Sequence, residues 1–447
     1  MIPPKPPSRP DDAGLIERIR RFRGDVFASQ PARLYRAWMA EQRTPFYRSF
    51  LVNDPALVRE VLQDRSGAFP KSILLRGALK PLLGRSVFVT NGAEWERQRR
   101  IIDPAFEGGR LKETFPAIHA AAESFTARLD AGSVEIEEHA SRFAADAIFR
   151  ALFSRPIGED EADRTYRAFR AFQRSQPILS LLDIARAPLW LPRPGRRARR
   201  EAEAIRALIG SLVDSRRQEI AARSAPDDLA TRIMSTPDPE TGAVFTREEM
   251  VDQVAIFFLA GHETSASTLS WALWLLAAHP EVQSICAAEA GRLPETVTMP
   301  DLARLPTIRD VVQETLRLYP PVPMLLREAA VERTWRKRRV PKGSMVIVSP
   351  WHLHRHERIW PDPDAFRPAR WRDPDQDDPR RTAFIPFSAG PRICPGAGFA
   401  QVEIALALAH VLRRFSLAID PAHMPVPVAH LTVRARDGIY LTLARRD

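Results

Sequence analysis

The stretch FSAGPRICPG, residues 387–396, contains one of only two cysteines in this chain of 447 residues. Helical apolar periodicity resumes directly after Cys394, in GFAQVEIALALAHVL. Pro395 suits the first turn of such a helix, because its missing N–H would be unpaired there anyway. We therefore expect Cys394 at a helix N-terminus, where backbone N–H groups and the positive end of the helix dipole lower the pKa of a thiol and favour the thiolate.

The neighbours of Cys394 narrow its possible chemistry. Arg392 adds positive charge, and Gly390 and Gly396 would let a flat or bulky group approach the backbone closely. A thiolate here could be a nucleophile, a metal ligand or a redox thiol. A lone cysteine without a Cys or His at ligand spacing argues against zinc, and a redox thiol usually has a resolving partner. Two interpretations of Cys394 remain. Its thiolate could ligate a haem iron alone, or the side chain could be buried as a small hydrophobic residue, which is common for a free cysteine.

A second candidate lies in the middle of the chain. Spacing predicts one long helix over residues 247–279, in which the apolar runs VAIFFLA and WALWLLAA flank a polar GHETSAS. A polar interruption in a buried helix costs free energy unless it has a use. Thr264 within it could also be an ordinary threonine that bonds to its own helix backbone.

Five segments together resemble the cytochrome P450 superfamily, in its order and at plausible spacing. They are WERQR (95–99), AGHET (260–264), ETLR (314–317), FRPARW (366–371) and FSAGPRICPG (387–396). The resemblance covers residues 45–445. It implies a soluble bacterial-type haem-thiolate monooxygenase, in which the Cys394 thiolate is the axial ligand of the iron of haem b (iron protoporphyrin IX).

Other site residues follow from the same resemblance. The implied haem contacts, besides Cys394, are Trp95, Arg99, Arg327, Arg392, Phe387, Gly396, Ala260 and Gly261. Thr264 and Glu263 are implied to bind O₂ and relay protons. Glu314, Arg317 and Arg370 are implied to form a buried network under the cysteine loop, although Glu314 and Arg317 alone could be an i, i+3 surface pair. His262 is expected to pack outside the pocket, and Cys286 to be inert.

The expected fold is mainly α with a smaller β part: the cytochrome P450 fold, with the haem between the long central helix and the C-terminal cysteine loop and helix. Residues 1–12 are expected to be a flexible Pro-rich tail and residues 13–447 a single domain. A strand, a turn at Asn53–Pro55 and an amphipathic helix are predicted along residues 47–62. Further helices are predicted over 91–102, 306–319 and 397–415, and β structure over 328–350 and 431–444.

The implied reaction inserts one oxygen atom from O₂ into a hydrophobic substrate such as a terpenoid, a fatty acid or an aromatic compound. The stretches 73–79, 178–192, 256–260 and 322–326 are expected to contact it. The sequence has no cysteine set for an iron–sulfur cluster and no G-x-G-x-x-G unit. Electrons from NAD(P)H are therefore expected to arrive through a separate ferredoxin (or flavodoxin) and its reductase, docked near Arg97, Arg100 and Arg110. The alternative is a haem-thiolate peroxygenase or isomerase, against which Glu263 and Thr264 argue.

Composition limits the other classes of protein to which the chain could belong. The net charge is +11 and the pI is near 10.3, but zinc-finger spacing, basic heptads and Arg/aromatic interleaving are absent from the sequence, so we do not expect nucleic-acid binding. Two cysteines suit a reducing compartment, and no apolar run has the length of a membrane span. We expect a cytoplasmic monomer without a transmembrane segment.

Overall fold

The structure is a computed structural model that describes residues 1–14, 25–43, 48–107, 109–158, 196–372, 378–429 and 431–446, with single positions 17, 20, 21, 164, 167 and 168. The expected substrate-contact stretch 178–192 lies outside the described residues. The described helices are α1 Pro55–Leu62, α2 Ile73–Leu83, α3 Gly92–Ile102, α4 Arg110–Ala127, α5 Ile136–Phe153, α6 Arg196–Ala221, α7 Leu229–Ser235, α8 Arg247–Ala278, α9 Pro280–Gly291, α10 Pro306–Leu318, α11 Pro350–Leu353, α12 Pro379–Ala383 and α13 Ala397–Arg414.

The strands are short and form four small sheets. They are β1 Met39–Arg43, β2 Arg48–Val52, β3 Gly132–Glu135, β4 Leu325–Glu328, β5 Arg333–Trp335, β6 Arg338–Val340, β7 Met345–Val348, β8 Phe415–Ile419, β9 Pro427–Ala429, β10 Val433–Ala435 and β11 Tyr440–Arg445. The largest sheet has the order β1-β2-β7-β4, with β2 and β7 parallel. The others are β3-β11-β8, β5-β6 and β9-β10. The prediction of a mainly α protein with a smaller β part is confirmed.

Local signals explain where the predicted helices begin. Asp54 accepts a hydrogen bond from the Ala56 N–H (3.0 Å), and Pro55 occupies the first turn of α1. The long helix predicted over 247–279 is α8, and the helix predicted over 306–319 is α10. The strand β3 was not predicted, because its four residues lack an alternating apolar pattern and are ordered by pairing with β11.

The chain divides into two compact units, and passes between them after Phe69 and within α4, α5 and α8. The first unit comprises Met1–Phe69, Ala122–Phe143 and Glu263–Asp447, and contains every strand described above. Its core includes an aromatic stack in which the rings of Trp271 and Tyr319 lie 3.9 Å apart. The guanidinium of Arg355 lies 3.9 Å from the centre of the Trp351 ring in the same core.

The N-terminal residues make specific contacts within this first unit. Pro3, Pro6 and Arg9 are buried, and the Tyr319 hydroxyl donates a hydrogen bond to the carbonyl of Pro4 (2.9 Å). Arg9 donates to the carbonyl of Ser29 (2.7 Å). The expected mobility of residues 1–12 and the single-domain organisation of 13–447 stay predictions.

The second unit comprises Pro70–Ala121 and Ala144–His262. Ion pairs organise its polar side: Arg97 binds Glu249 and Arg100 binds Asp238, each at 2.6 Å. Arg97 and Arg100 were expected to receive a redox partner. Both are already paired with acidic residues of their own chain, so their positive charge is partly neutralised.

The loop that ends in Cys394 packs tightly against the end of α1. Gly390 has φ +68°, and a Cβ atom there would lie 2.3 Å from the carbonyl oxygen of Leu62. Glycine is required for both reasons: the left-handed backbone disfavours other residues, and the neighbouring atom belongs to the main chain and cannot rotate away.

The substitution Gly390→Ala should therefore destabilise the protein by at least about 2 kcal/mol, from backbone strain and the clash together. Urea unfolding measures the change. Gly77→Ala is the matched control, because Gly77 is helical and has no atom within 4 Å of the added methyl group. It should be neutral or stabilising. Equal stability of the Gly390→Ala variant and the unmodified protein would contradict the close packing of this loop.

Candidate active site

One face of α8 is open in the middle of an otherwise buried helix. From Val251 to Ala277 every residue is buried except Ala260, Gly261 and Thr264. Ala260 and Thr264 are four residues apart and so share one side of the helix. The helix is continuous through the segment. The sequence motif AGHET thus supplies all three accessible positions of the buried run.

Glu263, beside Thr264, is buried but has a cationic partner. The guanidinium of Arg434 donates a hydrogen bond to its carboxylate at 2.7 Å. Arg434 lies in β10. The carbonyl of Val433, the residue before it, accepts a hydrogen bond from the Ser267 hydroxyl of α8 (2.5 Å). Strand and helix are therefore held together at the ion pair, and alternation along β10 buries Val433 and Ala435 while Arg434 reaches Glu263.

The cysteine loop closes on itself through its backbone. The N–H of Cys394 donates to the carbonyl of Phe387, and that of Ile393 to Gly390, both at 3.0 Å. Helix α13 begins at Ala397 with Gly396 as its N-cap. The expectation that Pro395 lies in the first helical turn is therefore wrong. Pro395 belongs to the turn that leads into the helix, because the carbonyl of Cys394 first accepts from the N–H of Ala397 (3.4 Å).

The two cysteines have opposite surroundings. Cys394 is exposed, whereas Cys286 is fully buried in α9. Burial raises the pKa of the Cys286 thiol to about 12, so this thiol stays protonated and unreactive at neutral pH. The exposure of Cys394 argues against its alternative interpretation as a buried small hydrophobic residue.

Glu314 and Arg317 form a bidentate pair inside the first unit, with both side chains fully buried. Arg317 donates from Nε and Nη2 to the two carboxylate oxygens of Glu314, at 2.9 and 2.8 Å. Arg370 adds a third bond to Glu314 at 3.0 Å. Trp371 adds a fourth, also at 3.0 Å. The structure thus joins all three residues expected in the network and excludes a surface pair.

Arg327, in β4, is a buried cation without an anionic partner. Its side chain is 3% exposed and donates one hydrogen bond, to the carbonyl of Leu326 (3.2 Å). Within the part of the chain that the structure describes, no carboxylate pairs with it. Burial lowers the pKa of Arg327 to about 10. A buried unpaired guanidinium is unfavourable, and a carboxylate group would relieve the cost.

The remaining expected haem contacts differ in their surroundings. Arg392 and Phe387 are half-buried in the cysteine loop. In the second unit, Trp95 and Arg99 lie in α3, one turn apart and half-buried. Arg99 forms an ion pair with Asp103 at 2.7 Å, so any other carboxylate bound by Arg99 would share it with Asp103. His262 is buried, and its ring stacks on Phe258 at 5.5 Å.

A sequence model of the family described as cytochrome P450 matches residues 32–443. The chain belongs to the cytochrome P450 family. It is 33% identical over 404 residues to a cyclooctat-9-en-7-ol 5-monooxygenase of Streptomyces melanosporofaciens, covering 86% of this chain and 83% of the relative. It is 30% identical over 414 residues to leukotriene-B4 omega-hydroxylase 3 of Mus musculus, covering 86% of this chain and 78% of the relative.

The fold agrees with this assignment. The crystal structure of a cytochrome P450DA mutant heme domain matches with a TM-score of 0.82 and 25% sequence identity, over 100% of this chain and 98% of that one. The chain is therefore an oxidoreductase of the P450 monooxygenase family. None of the helices among the described residues has both the length and the apolar character of a membrane span.

The residues of this P450 fit a haem. Cys394 offers one accessible sulfur, and the described part of the chain contains no cluster of three His, Cys, Asp or Glu side chains that could hold a metal ion instead. The unpaired guanidinium of Arg327 suits a haem propionate. The space beside Gly396 is open except for the Cys394 sulfur, 4.0 Å from an added Cβ, whereas Gly390 is packed against Leu62 and was expected to admit the group.

Sequence reasoning missed two residues of this region, Arg434 and Glu403. Arg434 sits at a polar position of the alternating stretch LTVRA, and Glu403 interrupts the apolar pattern of α13. A charged residue inside an apolar helical pattern was the available signal for Glu403. The partner of Arg434, 171 residues away in the chain, had no sequence signal.

If Arg327 binds a propionate, Arg327→Met should release haem about 10 to 100 times faster, because a charge-assisted hydrogen bond is lost. Transfer of haem to apomyoglobin measures the rate. Arg339→Met is the control, since Arg339 is 71% exposed and pairs with Glu332 on the surface. It should leave the rate unchanged. Equal rates for both variants would contradict a propionate contact at Arg327.

Proposed function

We propose that this P450 is a haem-thiolate monooxygenase that inserts one atom of O₂ into a hydrophobic substrate, with Cys394 as the axial thiolate. The observation that carries the proposal is the open face of α8, where the only accessible residues of a 27-residue buried run, Val251 to Ala277, are Ala260, Gly261 and Thr264. The Thr264 hydroxyl is therefore accessible on a helix whose neighbouring side chains are buried, and exclusion of water around such a group strengthens its electrostatic interactions.

The haem, when bound, supplies the redox chemistry, and a cysteine thiolate increases electron density at the iron and favours O–O cleavage. The chain's own residues hold and shape that site. Arg327, together with Trp95, Arg99 and Arg392, would bind the propionates. Phe387 and Gly396 would line the sulfur side.

The proposed catalytic pair is Thr264 and Glu263. Ala260 carries only a methyl group one turn before Thr264, which leaves room for a small ligand on that face. The missing side chain of Gly261 instead accommodates Ile148, whose Cγ1 would lie 3.1 Å from an added Cβ. The hydroxyl of Thr264 can hold a proton there as donor or acceptor. The Arg434 guanidinium fixes the carboxylate of Glu263 and connects it to the surface, because Arg434 itself is partly exposed. A buried carboxylate with such a partner can pass protons between solvent and the helix face.

The substrate is proposed to be apolar: a terpenoid first, then a fatty acid or an aromatic compound. Residues 256–259 are buried apolar side chains of α8 next to the open face, and 322–326 are mainly apolar. Two relatives are named for their action on cyclooctat-9-en-7-ol and on leukotriene B4, and both molecules have large hydrocarbon parts.

Electrons are proposed to come from NAD(P)H through a ferredoxin or flavodoxin and its reductase. The sequence supports this, since it shows no flavin or iron–sulfur pattern of its own. Because Arg97 and Arg100 are paired with acidic residues of this chain, they are weaker candidates for the surface that binds the redox partner. The cytoplasmic location and the monomeric state stay predictions.

The axial assignment is tested by the absorption spectrum of the reduced carbon monoxide adduct. The unmodified protein should show the red-shifted Soret band of a thiolate-ligated haem, and Cys394→Ser should lose it because a serine hydroxyl does not supply a thiolate. Cys286→Ser is the control and should keep the band. A red-shifted band in the Cys394→Ser variant, or none in the unmodified protein, would refute the assignment.

The electron source separates the monooxygenase from the peroxygenase or isomerase alternative. Binders are first found by screening apolar compounds for a change in the haem spin state. Turnover of a binder should require NAD(P)H, ferredoxin and reductase. Thr264→Ala should lower it by about 100 to 10,000 times, the range of a lost proton-transfer contribution. Comparable product formation with H₂O₂ alone, unchanged in Thr264→Ala, would favour the peroxygenase.

A further inference from the structure

The strands β5 and β6 form a hairpin that no step of the proposed reaction uses. One side of it packs into the core of the first unit: the ring of Trp335 stacks on Phe69 (5.6 Å between centres), and its indole N–H donates to Glu60 (3.1 Å). The tip is basic and exposed, with the sequence Arg-Lys-Arg-Arg over residues 336–339. The hairpin is therefore anchored by one aromatic side chain and presents cations to solvent.

The turn at the tip has an unfavourable backbone for the residues that occupy it. Arg336 and Lys337 connect the two strands, with φ of +47° and +63°. A two-residue hairpin turn with both central residues in the left-handed region strongly favours Asn-Gly, Asp-Gly or Gly-Gly, because a Cβ atom is disfavoured there. Strained backbone of this kind is concentrated at functional sites. Two long cationic side chains in this turn therefore point to a use for the charge at the tip.

Two arginines of the largest sheet extend the basic tip. Arg43 ends β1 and Arg48 begins β2. The guanidinium of Arg48 donates to the carbonyl of Arg339 in the hairpin (3.4 Å). The resulting basic hairpin surface comprises Arg43, Arg48, Arg336, Lys337, Arg338 and Arg339.

One carboxylate serves three of these cations. The side chain of Glu41, in β1, is 8% exposed. Its ion pairs, at 2.8, 2.6 and 3.8 Å, join it to Arg43, Arg48 and Arg338. The hydrogen bond from Arg43 is the main reason that the pKa of Glu41 is lowered, so the carboxylate is charged at neutral pH. One negative charge shared by three positive ones leaves an excess of two.

The other three cations have two carboxylates between them. Arg336 binds Asp54, and Arg339 binds Glu332 at 2.8 Å. Lys337 forms no ion pair within the part of the chain that the structure describes. The basic hairpin surface as a whole therefore carries three more positive charges than the carboxylates paired with it.

The chemistry of this surface fits the headgroups of anionic lipids better than a protein or a nucleic acid. A stable protein interface has an apolar core, but the only large apolar side chain between residues 332 and 339 is Trp335, which is 3% exposed. Single-stranded nucleic acid needs accessible aromatic rings on which its bases stack, and this ring is buried. Clusters of about four to eight Lys and Arg side chains bind the negative surface of a membrane through their charge.

We propose that the basic hairpin surface docks this P450 on a membrane surface that contains anionic phospholipids. The long side chains of Arg336 and Lys337 reach the lipid phosphates, while Trp335 holds the hairpin to the core of the first unit. Docking brings the enzyme to the phase in which apolar compounds of the proposed substrate class dissolve. The inference goes beyond the proposed function, because binding to lipid requires neither O₂ nor electrons.

Co-sedimentation of the holoenzyme with lipid vesicles tests the proposal. Vesicles of phosphatidylglycerol and phosphatidylcholine (about 1:2) should bind the protein, and vesicles of phosphatidylcholine alone should bind it only weakly, because their surface has no net charge. Sodium chloride at about 0.5 M should release the protein, since salt screens interactions between exposed charges. Equal binding to the two kinds of vesicle, or binding to neither, would overturn the proposal.

The variant Lys337→Gln/Arg339→Gln removes two of the six positive charges. Its partition coefficient on the anionic vesicles should fall about 25-fold, because each basic residue near such a surface contributes about fivefold. The matched control is Arg292→Gln/Arg445→Gln, which removes the same charge from exposed positions at the end of α9 and in β11. The control should bind like the unmodified protein. Equal losses in both variants would mean that overall charge drives binding, and would refute a role for the hairpin.

The strained turn offers a variant that separates a role in binding from a role in folding. Arg336→Asn/Lys337→Gly introduces the Asn-Gly sequence that this turn prefers. The variant should unfold at a higher urea concentration than the unmodified protein, and its partition coefficient on the anionic vesicles should fall about 25-fold. Unchanged vesicle binding would refute the proposal whatever the change in stability.

Other polyanions distinguish the remaining partners. Poly-glutamate represents an acidic protein, and single-stranded RNA represents a nucleic acid. If Lys337→Gln/Arg339→Gln weakens binding to either of these probes but leaves vesicle binding unchanged, the lipid assignment is wrong. Failure of the proposed function would appear separately, as the absence of the thiolate-type Soret band.

Discussion

The buried carboxylate of Glu314 orders the segment of the chain that precedes the cysteine loop. A fully buried charge is tolerated only when its hydrogen bonds are satisfied, and Glu314 receives them from Arg317, the N–H of Arg367, Arg370 and Trp371. Residues 361–372 include Pro361, Pro363 and Pro368, and the short 3-10 turn Pro368–Trp371 is their only regular structure. Arg317 bonds the carbonyls of Pro363 and Ala365 in that stretch (2.6 and 2.9 Å). One helix thereby orders the irregular segment that precedes the cysteine loop.

The same principle shapes α8, with different solutions. Its polar residues interrupt a buried apolar helix, and hydrogen bonds to β10 relieve part of the cost. Glu263 pairs with the Arg434 guanidinium, and the Ser267 hydroxyl donates to the carbonyl of Val433. The hydroxyl of Thr264 lies on the one accessible face. Polar groups are thus distributed around the helix, so that only the proposed catalytic hydroxyl is left toward the open side.

Much of this organisation was predictable, because it is encoded locally. The helices α8, α10 and α13 follow from apolar periodicity and from proline or capping residues at their ends, and the predictions agree with the observed bounds to within about two residues, the usual uncertainty of helix ends. The strand β3 and the position of Pro395 before the first turn of α13 did not follow. The strand β3 depends on a partner strand more than 300 residues later. The position of Pro395 depends on the carbonyl of Cys394, which accepts a turn hydrogen bond from Ala397 before the helical hydrogen bonds begin.

The sequence by itself determined the family, the iron-ligand candidate Cys394 and the polar pair Glu263–Thr264, because residue types at short spacing define these features. Only the tertiary structure decided which charges are compensated. Arg327 looks like any arginine of an Arg-rich chain until its burial and missing carboxylate are seen. Arg434 acquires meaning only through Glu263, 171 residues away in the chain. Burial and pairing arise from packing of segments far apart in the chain, and the free energy of a charge depends on its surroundings rather than on its place in the sequence.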